Sequence, residues 1–180
     1  ELTAMLTWAL MQPTPVAIRY PRAEAGIEHP QEPFEPSSPI APVEVKVGSD
    51  GVIFTFGPMV EVALEAAGSL ESELRFSVVN VRSLKPLDRS RILSMIKGKK
   101  YVITLEDHVL TGGFGSSMLE VLQGEQNLTI ERIGYPDSFI PQGSIGKLHQ
   151  EYGLTARQVA DTIRKTVSGH SLQVLASRDF

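Results

Sequence analysis

The 180-residue chain contains no cysteine. Disulfides, thiolate nucleophiles and Cys-type metal sites are therefore excluded, and a reducing compartment is allowed. No apolar run reaches the roughly 18–20 residues that a helix needs to cross a bilayer. The first residues have no basic n-region ahead of their apolar positions, so no signal peptide is expected. An excess of positive charge is also missing. Seventeen Lys and Arg stand against 21 Asp and Glu, a net charge of −4, so neither nucleic acid nor an anionic membrane is an expected partner. Of the four histidines, His29, His149 and His170 have no ligand-like spacing to His108, which leaves no metal site to propose. What remains is an ordinary soluble composition, 42% hydrophobic and 21% charged, in a chain long enough for one domain and an appendage.

Residues 1–12 place Leu2, Met5, Leu6, Ala9 and Leu10 at helical spacing, and Pro13 ends the run. Such a helix calls for a partner surface, upstream or on another subunit. A short strand is expected over 16–19. The composition then changes sharply, because Pro30, Pro33, Pro36, Pro39 and Pro42 recur every third residue. That is the repeat of a polyproline II helix, spanning on the order of 37 Å at about 3.1 Å per residue. A stiff interdomain linker is the first reading. A PxxP ligand for an SH3-like partner is the second, but no nearby basic residue would orient it.

Beyond the linker, strands and helices alternate. Val43–Val47 and Val52–Phe56 read as strands, paired as a hairpin around Gly48-Ser49-Asp50-Gly51. A helix follows at Met59–Leu70, a strand at Phe76–Val81, and a helix to about Lys97 with Asp88 as N-cap. Strand Tyr101–Leu105, helix Ser116–Leu122 and strand Leu128–Ile133 come next. The chain then has helices near Ser144–Tyr152 and Thr155–Val167, the second capped by Thr155. This order predicts an α/β fold, a mainly parallel sheet with helices on both faces. A helix-strand remnant of another domain precedes it. The expected divisions are 1–22 for the remnant, 23–42 for the Pro-rich linker, 43–167 for the α/β domain and 168–180 for a tail.

Arg19-Tyr20-Pro21-Arg22 is the candidate binding motif. Pro21 fixes its own φ and biases Tyr20 towards extended backbone, so two guanidinium groups stand in a defined relation suited to a phosphate or carboxylate. Gly112-Gly113-Phe114-Gly115 lies between a strand and a helix. The spacing is not GxGxxG, no Walker lysine follows, and Glu106 and Asp107 would repel an anion, so close backbone packing is expected there rather than a ligand. Glu106, Asp107 and His108 stand at the carboxyl end of a strand, the edge where open α/β sheets bind ligands. General acid–base work is open to this trio; helix capping or an interface role is the expected one. The stretch 135–143 reads as a rigid loop that packs on the sheet, gates a site or forms a subunit contact. No nucleophile elbow is present, since Gly115-Ser116-Ser117 lacks the GxSxG form.

In order and spacing, these pieces resemble the 1-deoxy-D-xylulose-5-phosphate synthase family. The resemblance rests on Ile18-Arg19-Tyr20-Pro21-Arg22, Phe56-Gly57-Pro58-Met59-Val60, Val81-Arg82-Ser83-Leu84-Lys85-Pro86-Leu87-Asp88 and Thr104-Leu105-Glu106-Asp107-His108 leading into Gly112–Ser116. The loop at 134–143 and Tyr152-Gly153-Leu154 complete it. It implies a transketolase C-terminal type of domain preceded by the end of a pyrimidine-binding domain. It also implies an enzyme that joins pyruvate to glyceraldehyde 3-phosphate with loss of carbon dioxide, using thiamine diphosphate and Mg²⁺, towards isoprenoid, thiamine and pyridoxal precursors. The residues that hold the cofactor and metal belong to family regions that this sequence does not match. The resemblance makes Arg22 a ligand of the substrate phosphate, with Arg19 and Tyr20 as its neighbours. An interdomain salt bridge is the alternative for Arg22. Upstream domains of the same enzyme and a second copy in a homodimer are the implied partners, in the cytoplasm or in a plastid of a plant or alga. Two departures stand out: Ala23 replaces a usual glycine, and His108 a usual asparagine. A non-catalytic assembly or ligand-binding module of the same domain type is the competing reading, as is the equivalent part of another transketolase-like enzyme.

Overall fold

The computed structural model describes residues 1–21 and 40–169. Its elements are α1 (Leu2–Leu10), β1 (Val43–Lys46), β2 (Gly51–Thr55), α2 (Met59–Leu70), β3 (Phe76–Asn80), α3 (Arg89–Met95), β4 (Tyr101–Val109), α4 (Phe114–Val121), β5 (Thr129–Tyr135), α5 (Ile145–Tyr152) and α6 (Ala156–Val167). Arg22, most of the proline repeat and the tail from His170 lie outside the described residues. Ala41 and Pro42, at the end of the proline repeat, are already buried.

One five-stranded sheet runs in the order β1-β3-β2-β4-β5. β2 pairs in parallel with β3 and β4, β4 pairs in parallel with β5, and only β1 is antiparallel. The apolar runs explain the positions. Every residue of β2 and β3 is buried, as strands covered on both faces require, whereas β1 is buried only at Val43 and takes the edge. Helices α2 and α6 cover one face, where Ala63, Ala66, Leu70, Ile103, Val159 and Ile163 make a continuous core. Helices α3 and α4 cover the other, with Phe54, Val79, Ile92, Phe114 and Met118.

The expected β1–β2 hairpin is not formed. β1 lies on the far side of β3, and the loop between β1 and β2 crosses the start of β3 instead. Side-chain bonds hold it there. Asp50 Oδ2 accepts from the Arg75 amide at 2.7 Å, and the Ser77 hydroxyl accepts from the Gly48 amide at 2.8 Å and donates to its carbonyl at 3.0 Å. A central apolar strand needs a ladder on each side, and β3 and β4 supply both in parallel. The strand expected at 16–19 is also absent. Residues 15–21 have no ladder partner among the described residues, and a strand exists only through pairing. β4 runs four residues beyond its expected end, through Glu106, Asp107 and His108. α4 begins at Phe114, two residues before its expected start, and β5 ends at Tyr135 rather than Ile133.

Both expected caps are present: Asp88 accepts from the Arg91 amide at 3.0 Å, and Thr155 accepts from that of Gln158 at 3.4 Å. The Arg91 amide, then the Ser90 hydroxyl, hold the Asp88 carboxyl below the usual carboxylate range. A lowered folded value contributes stability that is complete above the unfolded value and is lost as pH falls through the folded one. Asp88→Ala is expected to lower unfolding free energy by about 1 kcal/mol at neutral pH. Its deficit should shrink once pH falls below about 4. Urea midpoints at both pH values check this, and an equal deficit at both would refute the cap assignment.

Candidate functional site

A cleft of about 630 Å³ opens at the carboxyl edge of the sheet. Phe56, which follows β2, Arg82 and Lys85, which follow β3, and Asp107 near the end of β4 form one wall. The other wall is α1, through Met5 and Trp8, together with residues 14–21. The strand order dictates the location. β2 leads to α2 on one face, while β3 and β4 lead to α3 and α4 on the opposite face. The chain thus departs in opposite directions from neighbouring strand ends, which leaves a crevice at that switch point.

Arg19 and Lys85 put exposed cations on the cleft, and Arg82 lies between the walls with its charge already paired. Arg82 is held at φ 62°, a left-handed conformation that an L-residue other than Asn or Asp seldom adopts. Its side chain is 4% exposed, and its Nε donates to Glu1 Oε1 at 2.7 Å. The same Glu1 carboxylate accepts from Asn80 Nδ2 at 3.1 Å, tying the start of α1 to the end of β3. No residue of α1 is buried among the described residues, and Leu6, Leu10 and Met11 stay exposed, so the partner surface expected upstream or on another subunit is not supplied by this sheet edge. Arg19 and Tyr20 are on the cleft wall and exposed to solvent.

The acidic cluster divides across the sheet. Glu106 is fully buried and reaches α4, where its two carboxylate oxygens accept from the Phe114 and Gly115 amides at 2.7 and 2.9 Å. Burial is the strongest influence and pushes its carboxyl up; the Gly115 and Phe114 amides, then His108 and Arg132, oppose it. The glycines make room for this carboxylate. A Cβ on Gly113 would lie 2.3 Å from Glu106 Oε2 and 2.2 Å from the Val109 carbonyl oxygen, and one on Gly115 would lie 2.7 Å from Thr104 Oγ1. The packing and capping readings of both motifs therefore hold. The helix N-terminus that could have bound an external anion is filled by the chain's own carboxylate.

Asp107 turns to the opposite side, towards α5 and β5, where His149 Nε2 lies 3.6 Å from Oδ1. Burial first, then the neighbouring Asp107 carboxylate, raise the Tyr135 hydroxyl above its ordinary value. The Tyr135 ring also packs edge-on against Tyr152 at 5.3 Å and lies 6.5 Å from the His149 ring. His108 is exposed, with Nδ1 3.3 Å from the Val109 carbonyl oxygen. The trio therefore has no shared acid–base geometry.

The transketolase C-terminal domain family matches residues 41–159, the span that carries the sheet and most of its helices. The chain belongs to that family. It is 42% identical over 168 residues to 1-deoxy-D-xylulose-5-phosphate synthase of Heliobacterium modesticaldum, covering 92% of this chain and 26% of that protein. A Geobacter sulfurreducens protein of the same name, numbered 2, is 41% identical over 169 residues, covering 91% of this chain and 27% of that protein. The chain thus spans about a quarter of the length of the curated relatives it matches. Among solved structures, one described as a split gene transketolase, inactive beta4 tetramer, superposes with a TM-score of 0.67 at 35% identity, covering 77% of this chain and 46% of that one. A Pichia stipitis transketolase mutant gives 0.62 at 18% identity, over 83% of this chain and 21% of that one, and shows the shared fold.

Within this transketolase-type domain, sequence reasoning gave Arg82 and Lys85 no binding role. Their signal was positional: Arg82 follows an apolar strand by two residues, at the edge where ligands collect. Glu106 generates a prediction. A carboxyl raised by the fold binds its proton more readily folded than unfolded, so stability falls as pH rises from the ordinary carboxyl value through the raised one. Glu106→Gln removes that slope. Urea midpoints from about pH 4 to pH 8 should show the variant gaining on the wild type across this window, and parallel profiles would sink the assignment.

Proposed function

We propose that this chain is the C-terminal part of a thiamine-diphosphate-dependent 1-deoxy-D-xylulose-5-phosphate synthase, which joins pyruvate to glyceraldehyde 3-phosphate with loss of carbon dioxide. The observation that carries the reading is the cleft, whose rim combines Arg19 and Tyr20 of the N-terminal segment with Arg82 and Lys85 of the sheet edge. Relatives of that name over 92% and 91% of the chain support it. In this reading 1–22 ends a pyrimidine-binding domain, 23–42 links it to the transketolase-type domain at 43–167, and 168–180 is a tail. The other domains of the enzyme and a second copy are its partners, and the cytoplasm is its location. Arg22, with Arg19 and Tyr20 beside it, binds the substrate phosphate, because guanidinium groups meet phosphate oxygens in charge-assisted, often paired hydrogen bonds.

The described residues do not fit thiamine diphosphate or its Mg²⁺. The glycine-bounded helix N-terminus that would suit a diphosphate holds Glu106, and among the described residues no three acidic or histidine side chains converge. The contribution of this chain is therefore to bind and orient the phosphorylated substrate and to exclude water over the sheet edge, while other domains hold the cofactor.

One observation favours a second reading, a non-catalytic assembly module: the similar split gene transketolase structure is described as an inactive beta4 tetramer. The two readings separate by experiment. In the full-length synthase, Arg22→Ala should raise the KM for glyceraldehyde 3-phosphate by about 10- to 100-fold, the weight of one charge-assisted contact, with little change for pyruvate. Equal changes for both substrates would contradict the phosphate role. The 180-residue chain alone should show no micromolar thiamine diphosphate binding in calorimetric titration. Heat of binding at that affinity would remove the proposal that other domains supply the site.

A further inference from the structure

Among the described residues that line the cleft, Asp107 is the sole carboxylate, sharing it with the exposed cations Arg19 and Lys85 and with Arg82, which is paired to Glu1. Its placement is over-determined. The pairing register of β4 and β5 shifts between Leu105 and Val109, a bulge of the kind that re-aims side chains beside sites. Glu106 is pinned to α4 on one side of the strand, so Asp107 is carried to the other. There the His149 ring stands beside Oδ1, and the carboxylate is near enough for its charge to raise the Tyr135 hydroxyl. The His149 side chain is 14% exposed, and its Nε2, buried with no hydrogen-bond partner, lies 3.6 Å from this carboxylate. The Asp107 side chain nevertheless stays 38% exposed. An ionised carboxylate offers about four lone-pair positions, and Tyr135 and His149 approach from β5 and α5, which leaves the cleft side free to accept.

We propose that Asp107 is a specificity residue of the cleft. Its carboxylate accepts a hydrogen bond from a hydroxyl of a phosphorylated hydroxy-compound whose phosphate faces the exposed cations Arg19 and Lys85. Tyr135 and His149 are positioning residues that hold the carboxylate in place. The inference rests on the phosphate reading of the cleft and adds a second recognition point to it. Opposite charges at the two ends give the ligand a direction. The same carboxylate repels a second anionic group, so a hydroxyl donor is selected at that end and a carboxylate is rejected.

The test is an NMR-detected titration of the 180-residue chain with two phosphate esters, glycerol 3-phosphate and n-propyl phosphate, which share the phosphate and differ in hydroxyls. The wild type should prefer glycerol 3-phosphate by about tenfold, the worth of one hydrogen bond to a charged group. Asp107→Ala should bring the ratio close to one without weakening propyl phosphate. Asp107→Asn, nearly the same shape, should also lower the ratio and covers the case in which the alanine variant does not fold. Tyr135→Phe and His149→Gln should each reduce the preference a few-fold and leave propyl phosphate affinity in place, which general loosening of the cleft would not do. A wild type that binds both esters equally, or an Asp107→Ala chain that keeps the preference, overturns this inference alone. A wild type that binds neither ester overturns the phosphate reading together with it.

Discussion

The contact between the Glu106 carboxylate and the first amides of α4 organises the functional edge of this protein. A carboxylate buried without partners would cost several kcal/mol, and two backbone donors at a helix N-terminus offset that cost. The geometry of the contact then constrains everything nearby. It prolongs β4 beyond the run of apolar residues, sets where α4 begins, and excludes a Cβ at Gly113 and Gly115. It also decides which neighbour faces the cleft, because anchoring Glu106 on one side of the strand sends Asp107 to the other.

The cleft itself follows from strand order. With β2 at the centre and its two parallel neighbours connecting to the opposite layer, the carboxyl ends of the strands cannot be closed by their own loops. The N-terminal segment covers part of that opening through Met5, Trp8 and the Glu1–Arg82 ion pair. Its Leu6, Leu10 and Met11 stay exposed on the outer side. Around the rim stand Arg19 and Lys85, the Glu1-paired Arg82, and the Asp107 carboxylate with His149 beside it.

Much of this was legible in the sequence. The alternation of buried strands with amphipathic helices gave the layered parallel architecture, because strands covered on both faces must be apolar throughout, as β2 and β3 are. Asp88 and Thr155 announced their helices, since a cap is a local interaction between residues three apart. The hairpin expected around Gly48–Gly51 failed because the turn residues were correct but the partner was not: side-chain bonds to Arg75 and Ser77, distant in sequence, carried the loop over β3. The strand expected at 16–19 failed for the related reason that pairing is a property of two segments and propensity a property of one. Arg82 was visible only as part of a motif and not as a cleft residue, because its place at the sheet edge is something no local pattern records.

The sequence by itself determined the elements, their caps, the absence of thiol chemistry and, through motif order, the family. Those are consequences of composition and of contacts between near neighbours. Only the tertiary structure decided that β1 sits at the antiparallel edge, that the glycine-bounded helix N-terminus is filled by Glu106, and that Arg19, Arg82, Lys85 and Asp107 share one cleft. Each of these depends on segments tens of residues apart meeting in space. The energies that select such meetings, burial of whole faces and satisfaction of buried charges, are summed over the fold rather than written in any one stretch of chain.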